Sequence, residues 1–202
     1  MNAERDFLEC KKSALSKLKK AHSENKVDPG ILPILDIINE SENYYTSSSC
    51  FGRIVLLEIP IIGDKKEAKF LGKWHRAINV DELLSAAKKA RTGQLWLLAQ
   101  SPIVHIVAKT NNAADKILKT AIASGFKNSG LKSLGKKIVV EVCSTERLDA
   151  PVGKDEVLFC NKDHLMLLVN ISNEIIKKST LKLQKFEEKL QKDLSTHKTT
   201  TQ

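Results

Sequence analysis

Two strand-like runs, 94–100 and 103–109, are joined at Pro102 with no helix between them. Both are apolar or β-branched runs bounded by polar residues or proline, a composition typical of strands. Elsewhere, strand-like runs alternate with segments of helical periodicity. A chain that joins some strands directly and separates others by helices is expected to fold as α+β, with a mixed or largely antiparallel sheet and flanking helices.

The same patterns predict where each element lies. Helices are expected at 4–24, from Asp28-Pro29 to about Asn39, at 80–90, at 111–124 and at 165–194, and strands at 53–60, 68–77, 94–100, 103–109 and 137–143. At 202 residues the chain is long enough for one well-buried domain or for two small halves that share a core. We expect a single α+β domain over 1–194, followed by a polar C-terminal tail over 195–202.

The segment from Tyr44 to Ile54, YYTSSSCFGRI, places a run of small polar residues before an apolar stretch. Hydroxyl groups at this density bond to their own backbone and favour a turn. Gly52 permits a close approach to a ligand or a positive φ. Arg53 supplies the planar, permanently charged group that binds phosphate or carboxylate through two hydrogen bonds. The segment is predicted to be a ligand-binding loop, although a serine-rich hairpin turn with a surface arginine has the same composition.

The net charge of +9 is unevenly distributed. Residues 1–26 carry seven Lys or Arg against four acids, and residues 177–202 carry seven lysines against three acids. The central segment 127–137 contains no acid, and its basic residues are Lys127, Lys132, Lys136 and Lys137. A basic segment that contains glycine suits contact with the phosphate backbone of a nucleic acid. A solvated connector would have the same composition, so both interpretations stay open.

Two aromatic residues stand next to lysines, since Trp74 follows Lys73 and Phe126 precedes Lys127. An aromatic ring beside a cation suits the stacking of a splayed RNA base next to its own phosphate groups. Packing in the core explains the two rings nearly as well. We therefore expect these four residues, with the lysines of 127–137, to bind RNA.

Several classes of protein are excluded by what the sequence lacks. No apolar run approaches the roughly 20 residues of a membrane span, and the opening MNAERDFLECKK has no signal-peptide core, so a cytoplasmic location is expected. The cysteines have neither CxxC pairing nor the spacing of a zinc site, so no metal is expected. No GxGxxG motif follows a strand, which argues against a Rossmann methyltransferase.

The segment YYTSSSCFGRI resembles a signature of the tRNA wybutosine-synthesizing protein 3 family, which methylates transfer RNA in the third step of wybutosine synthesis. Four further blocks resemble the archaeal-type members in the same order. They are GDKKEAKFLGKWHR (63–76), LWLLAQSPIVH (95–105), SGFKNSGLKS (124–133) and VEVCSTERLDAPVG (140–153). The resemblance covers about 27–176. Phe51 departs from it, because the family usually has a small residue there, and an apolar or stacking contact is expected instead.

The resemblance implies a sheet curled towards a barrel with helices outside, and a reaction that uses S-adenosylmethionine. The methyl group would go to N-4 of the demethylated tricyclic base next to the anticodon of phenylalanine tRNA, with no DNA or membrane partner. The residues expected to bind the cofactor are Ser48, Ser49, Cys50, Gly52, Arg53, Ser101 and Pro102. The loop 125–130 is a further candidate, because exposed backbone N–H groups suit an anionic or polar ligand.

An acceptor ring nitrogen that carries a proton must lose it, so a base with a pKa near neutrality would help. His75 and His105 both lie in family-like blocks, and the sequence does not choose between them. Glu141 interrupts a strand that should be buried on at least one face, where a carboxylate is costly unless it is paired or exposed. It is expected to line a pocket or to pair with a group such as Arg53. These two histidines and Glu141 are the candidate catalytic residues.

Two alternatives stand against the methyltransferase, which is the leading interpretation. A non-catalytic RNA-binding module would use the same basic segment, 127–137, but would have no reason to bind the cofactor. A hydrolase would use Cys50 as its nucleophile beside His75 or His105, and would need a thiolate of low pKa.

Overall fold

The computed structural model describes residues 3–63 and 66–195. The helices are α1 (Ala3–Ser23), α2 (Leu32–Glu40), α3 (Val80–Ala87), α4 (Asn111–Ala123) and α5 (Lys162–Ser195), and a short 3₁₀ helix spans Pro29–Ile31. The strands are β1 (Tyr44–Cys50), β2 (Arg53–Ile59), β3 (Lys69–Trp74), β4 (Gln94–Gln100), β5 (Ile103–Ala108), β6 (Gly130–Leu134), β7 (Ile138–Cys143), β8 (Arg147–Lys154) and β9 (Val157–Leu158). None of the described helices is long and apolar enough to cross a membrane.

The chain divides into two compact units. The first comprises the described parts of 1–51, 102–145 and 180–202, and the second comprises those of 52–101 and 146–179. The strand pairs of the described residues are antiparallel, so the expected α+β class with largely antiparallel, curled sheets and flanking helices is confirmed, and the fold is not a Rossmann fold. The single domain over 1–194 stays a prediction, and the predicted tail lies outside the described residues from 196 onwards.

The sheet of the first unit has the strand order β1-β5-β7-β6. Val104 and Ile106 of β5, and Val140 and Val142 of β7, are buried in a core that also contains residues of α2, α4 and the C-terminal part of α5. Because side chains alternate between the two faces of a strand, the residues between these four lie on the opposite face.

The sheet of the second unit has the strand order β3-β2-β4-β8-β9. Its core is formed by alternate residues of β2 and β4, with α3 and the N-terminal part of α5. A capping box begins α3, since the Asn79 side chain accepts from the Glu82 N–H and the Glu82 side chain accepts from the Asn79 N–H.

The sequence prediction missed β1, and the turn expected there is wrong. β1 lies at the edge of its sheet, where Tyr44 and Tyr45 are buried and Ser47 and Ser48 are exposed. Pairing with β5 satisfies the backbone groups that the serine hydroxyls were expected to bond. Polar residues are tolerated because the face carrying them is not part of the core.

The strands β6, β8 and β9 were missed as well. β8 contains Pro151, which stands opposite Trp96 beside a register shift. Proline is tolerated in a sheet at such an irregularity, where a ladder hydrogen bond is already lost. β9 has two residues, too few for a periodic pattern to be detected.

Candidate functional site

A row of hydrogen-bonded side chains crosses the sheet of the first unit. The Ser48 hydroxyl oxygen lies 2.7 Å from His105 Nδ1, and His105 Nε2 lies 2.7 Å from Glu141 Oε2. Lys132 Nζ donates to Glu141 Oε1 at 3.2 Å. Ser48 and Lys132 are exposed, and the other two side chains are half-buried. We call these four residues the histidine row.

The strand register brings the row together. His105 of β5 stands opposite Ser48 of β1 on one side and opposite Glu141 of β7 on the other. Opposed residues on antiparallel strands have neighbouring side chains on the same face. A register shift lies between Thr46 and Ser48, so that Ser48, and not Ser47, faces the imidazole. A β-bulge of this kind re-aims a side chain next to a site.

Asn39 of α2 fixes this bulge. Its side-chain oxygen accepts the backbone N–H of Thr46 at 2.8 Å, and its amide nitrogen donates to Thr46 Oγ1 at 2.9 Å. The bulge would otherwise leave a half-buried N–H without an acceptor. The helix α2 therefore positions β1 through the Asn39 side chain, which holds the strand at Thr46, two residues before Ser48.

The protonation of the row follows from Glu141. Partial burial raises the pKa of Glu141, but hydrogen bonds from His105 and Lys132 outweigh this effect, and the pKa lies below its ordinary value. An ionised carboxylate only accepts hydrogen bonds, so His105 Nε2 carries a proton and donates to it. In the neutral ring, Nδ1 then accepts the hydrogen bond of Ser48. The row is arranged to take up a proton at His105 Nδ1.

The chain beyond β1 is held by the loop that precedes α2. The backbone N–H of Phe51 donates to Asp28 Oδ2 at 3.0 Å. The Phe51 ring covers Gly30, where a Cβ would stand 2.5 Å from the ring, and it packs against the core of the first unit. Phe51 thus makes an apolar contact within its own chain, as its departure from the family pattern predicts.

Arg53 begins β2 in the second unit. Its Nε donates to Gln100 Oε1 at 2.8 Å, and its guanidinium carbon lies 5.5 Å from the centre of the Phe70 ring. Gln100 stands directly opposite Arg53 on β4. Within the described parts of the chain, the two terminal nitrogens of Arg53 bond no other residue. The guanidinium is therefore held at Nε and over one ring face, which leaves the terminal nitrogens for a ligand.

His75 has a different surrounding from His105. Its Nδ1 lies 2.9 Å from the carbonyl oxygen of Gly52. A carbonyl only accepts, so Nδ1 carries the proton, and the ring holds the residue before Arg53 in place. Gly52 has a φ of 98°, a conformation that side chains with a Cβ rarely adopt. His75 anchors the start of β2.

Comparison with known proteins identifies the family. The model of the family described as methyltransferase TYW3 matches residues 9–192. This chain belongs to the methyltransferase TYW3 family. A relative in Pyrococcus abyssi, the tRNA(Phe) 7-((3-amino-3-carboxypropyl)-4-demethylwyosine(37)-N(4))-methyltransferase 1, is 45% identical over 92% of this chain and 96% of its own length. The resemblance inferred from the sequence is confirmed.

Two solved structures resemble this TYW3 family member. A structure from Pyrococcus horikoshii is 44% identical, has a TM-score of 0.89, and matches 94% of this chain and 98% of its own. A hypothetical protein from Aeropyrum pernix is 28% identical, has a TM-score of 0.71, and matches 82% of this chain and 98% of its own. Both share the fold described above.

One sequence-based assignment at 125–130 is wrong for this TYW3 protein. Phe126 is fully buried and meets the Phe186 ring at a centroid distance of 5.7 Å, so it has no face for an RNA base. Some of the backbone N–H groups of this loop are already used within the protein, and the loop as a ligand site stays a prediction. Phe126 donates to Ala121 and Ser129 donates to Phe126, in the turn that ends α4.

The contacts and the burial of the site residues bear on further assignments. The pairing of Glu141 with Arg53 is wrong, because the carboxylate bonds the two neighbours in its own sheet and the guanidinium bonds Gln100. Gly52, Ser101 and Pro102 are buried, and their contact with the cofactor stays a prediction. Ser49 and Cys50, at the end of β1, are half-buried and stay predictions.

Most residues predicted to bind RNA also stay predictions. Lys73, Lys127, Lys136 and Lys137 are exposed. Trp74 is half-buried, and its ring covers Gly72. Lys132 is exposed as well, and in addition to its predicted contact with RNA it pairs with Glu141.

Sequence reasoning missed the positioning residues of this TYW3 site. Asp28 stands at the start of a predicted helix, where an aspartate side chain commonly caps, yet it makes no capping hydrogen bond and accepts instead from Phe51. Asn39 lies at the end of an apolar helix and carries no sequence signal for its contact with Thr46. Both contacts depend on tertiary packing.

Proposed function

We propose that this protein is an S-adenosylmethionine-dependent tRNA methyltransferase of the cytoplasm. Its acceptor is N-4 of the demethylated tricyclic base next to the anticodon of phenylalanine tRNA. The observation that carries the proposal is the 45% identity, over 92% of this chain, to a methyltransferase named for that base. The histidine row supports it, because the row offers the proton acceptor that this reaction needs.

Methylation at N-4 replaces a nitrogen–hydrogen bond by a nitrogen–carbon bond, so one proton must leave the base. When bound, S-adenosylmethionine supplies a methyl group activated by its sulfonium. His105 Nδ1 takes the proton through the Ser48 hydroxyl, which accepts from the base as it donates to the imidazole. Glu141 stabilises the imidazolium that forms, and Lys132 keeps Glu141 ionised. A general base of this kind contributes about 10²–10⁴-fold to the rate.

Arg53 is our candidate for the residue that binds the carboxylate of the cofactor. The assignment rests on its donor set, because a guanidinium with two available terminal nitrogens matches a carboxylate bidentately. Gln100 keeps the head group oriented by holding Nε. The exposed Phe70 ring beside it supplies an apolar surface. Ser49 and Cys50 remain candidates for contact with the cofactor.

The deciding experiment supplies the purified protein with methyl-labelled S-adenosylmethionine and phenylalanine tRNA that carries the demethylated intermediate. Label should enter that base. Unmodified tRNA is the control, because it lacks the acceptor ring system and should stay unlabelled. Failure to label the correctly modified tRNA rules the proposal out.

Calorimetry without RNA distinguishes a methyltransferase from a passive RNA-binding module. A methyltransferase binds S-adenosylmethionine or its demethylated product in the absence of tRNA. A module that only holds RNA has no site for either compound. The absence of heat with both compounds, from protein that still binds tRNA, would favour the module.

A hydrolase is the second candidate, because Ser48, His105 and Glu141 are a serine–histidine–acid set. In serine hydrolases, however, Nε2 faces the serine and Nδ1 faces the acid. The order here is reversed. Replacing a nucleophile abolishes activity, whereas Ser48→Ala and Cys50→Ala should each leave part of the methyl transfer. Complete loss in one variant, with hydrolysis of an ester probe by the parent, would favour the hydrolase.

A further inference from the structure

A groove lies between α1 and β1 of the first unit, and Ser48 of the histidine row is one of the residues that line it. It has a volume of about 440 Å³. Its floor is formed by β1 from Tyr45 to Ser49, and one wall by the face of α1 that carries Cys10 and Lys17. Lys137, in the turn before β7, completes it. We call this the α1–β1 groove.

The charge of the groove is positive. None of the residues that line it is acidic, and Lys17, Lys26 and Lys137 all do so. Lys26 forms an ion pair with Glu24 at 2.6 Å. Among the described residues, neither Lys17 nor Lys137 pairs with a carboxylate. Two ammonium groups therefore face the groove without an anion of the protein itself.

A buried hydroxyl at the floor lacks an acceptor. Tyr45 is 2% exposed, and its hydroxyl has no hydrogen-bond partner among the described residues. Burial raises the pKa of Tyr45, so the phenol keeps its proton and remains a donor. Charge and hydrogen-bond interactions with Lys137 and Cys10, which also line the groove, influence that pKa, so both side chains lie beside the hydroxyl although neither forms a hydrogen bond of normal geometry with it. A buried donor without an acceptor costs about 1–3 kcal/mol, so an incoming acceptor would relieve a real penalty.

We propose that the α1–β1 groove binds a phosphate of the tRNA backbone, with Lys17 and Lys137 as its cations and the Tyr45 hydroxyl as its buried donor. Lys137 interacts with the Tyr45 hydroxyl, so its ammonium group and that hydroxyl lie side by side at the place where the phosphate would bind. The proposal deepens the proposed function and rests on it for the choice of tRNA. It assigns α1, which carries no residue of the candidate site, to substrate binding.

The first test removes the two cations. Lys17→Ser combined with Lys137→Ser is compared with Lys12→Ser combined with Lys19→Ser, which removes the same charge from the opposite, exposed face of α1. Binding of unmodified phenylalanine tRNA is measured over a range of salt concentrations. The Lys17→Ser and Lys137→Ser double variant, which we call the groove pair, should bind tRNA roughly tenfold more weakly. Its slope of log K against log salt should fall by about 0.7–0.9, because one phosphate contact is lost. Equal slopes in the two double variants would overturn the proposal.

The second test is Tyr45→Phe, which removes only the hydroxyl. Without RNA the variant should be at least as stable as the parent, because an unsatisfied buried donor is lost. It should also bind tRNA several-fold more weakly. A destabilised variant with unchanged tRNA affinity would show that the hydroxyl is structural, and would overturn the proposal.

The source of the phosphate is tested by competition with inorganic phosphate. Weak competition, at the level expected from ionic strength alone, fits a site for the tRNA backbone. If millimolar phosphate displaces tRNA while the groove pair keeps the parent salt slope, the groove is a site for small anions and the proposal fails. These binding tests need no methyl transfer. If the parent transfers no methyl group but the groove pair still binds tRNA more weakly than the parent, only the proposed function is contradicted.

Discussion

At the scale of single residues, the chemistry of His105 depends on two neighbours of opposite kind. Glu141 only accepts hydrogen bonds and so fixes the proton on Nε2, while Ser48 offers a hydroxyl that can donate to Nδ1. Lys132 sustains this arrangement, since it helps to keep the pKa of Glu141 below its ordinary value. By contrast, the Nδ1 of His75 faces the backbone carbonyl oxygen of Gly52 at 2.9 Å.

His105→Asn should lower the turnover of methyl transfer by about 10²–10⁴-fold, because the proton acceptor is lost. Affinity for S-adenosylmethionine, measured by calorimetry, should stay close to that of the parent. His164→Asn, at an exposed position on α5, is the control and should leave turnover unchanged. Full turnover in His105→Asn would remove the histidine row from the mechanism.

The stability of the protein should report the charge of Glu141. The folded-state pKa of Glu141 lies below 4.5, so its ionised form stabilises the fold above about pH 4.5, and this contribution is lost as the pH falls through the folded pKa. The free energy of unfolding of the parent should exceed that of Glu141→Gln at neutral pH, and the gap should narrow below about pH 4.5. Urea unfolding measures both. The exposed Glu40→Gln should show no such gap.

Arg53→Lys keeps the charge but loses the planar fork and the Nε bond to Gln100. We expect at least tenfold weaker binding of S-adenosylmethionine, since a hydrogen bond to a charged group contributes about 1.5–3 kcal/mol. Arg147→Lys, on an exposed arginine of the same unit, is the matched control. Parent-like affinity and turnover in Arg53→Lys would show that Arg53 binds no ligand.

At the scale of elements, the edge strand β1 shows how a polar sequence becomes part of a site. The bulge between Thr46 and Ser48 determines which serine faces the imidazole. Asn39 links α2 to this bulge with two hydrogen bonds. The helix therefore helps to position Ser48, through which our proposed mechanism passes the proton to His105.

Asn39→Ala should lower the free energy of unfolding by about 1–3 kcal/mol, because the Thr46 N–H loses its acceptor. Turnover should fall as well, since the bulge no longer holds Ser48 in register. Thermal unfolding and the labelling assay measure the two effects. Asn112→Ala, at an exposed position of α4, should change neither. If the Asn39→Ala protein is destabilised but keeps the turnover of the parent, the bulge is not needed for catalysis.

At the scale of the whole molecule, the net charge of +9 suits a polyanionic substrate. The exposed lysines of 127–137 do not form a single patch of equivalent residues. Lys132 pairs with Glu141, and Lys137 lines the α1–β1 groove. Lys127 and Lys136 form no ion pair among the described residues.

Removal of all four lysines, Lys127, Lys132, Lys136 and Lys137, to Ala should weaken tRNA binding and flatten its salt dependence. Cofactor affinity should be nearly unchanged. The double variant Lys127→Ala and Lys136→Ala tests contact with the RNA backbone alone, because it keeps Lys132 beside Glu141 and Lys137 in the α1–β1 groove. It should reduce the salt slope without lowering turnover at saturating tRNA. The Lys12 and Lys19 pair again controls for charge. An unaltered slope in the fourfold variant would place the RNA elsewhere.

The sequence by itself determined most of the elements and the family. Helices such as α1 and α4, and strands such as β4 and β5, were predicted within a few residues, because apolar periodicity, proline and glycine act locally. The α+β class followed from two strands joined without a helix. His105 was found because it lies in a family-like block, and Glu141 because a carboxylate is costly in a strand that should be buried on at least one face.

Only the tertiary structure decided what these residues do. The register of β5 against β1 and β7 paired His105 with Ser48 and Glu141, whereas the sequence had left the base undecided and offered Arg53 as a partner for the acid. Burial removed Phe126 from the surface. The reason is the same in each case: hydrogen-bond partners and solvent exposure are set by segments far apart in sequence, and local patterns carry no information about which segments meet.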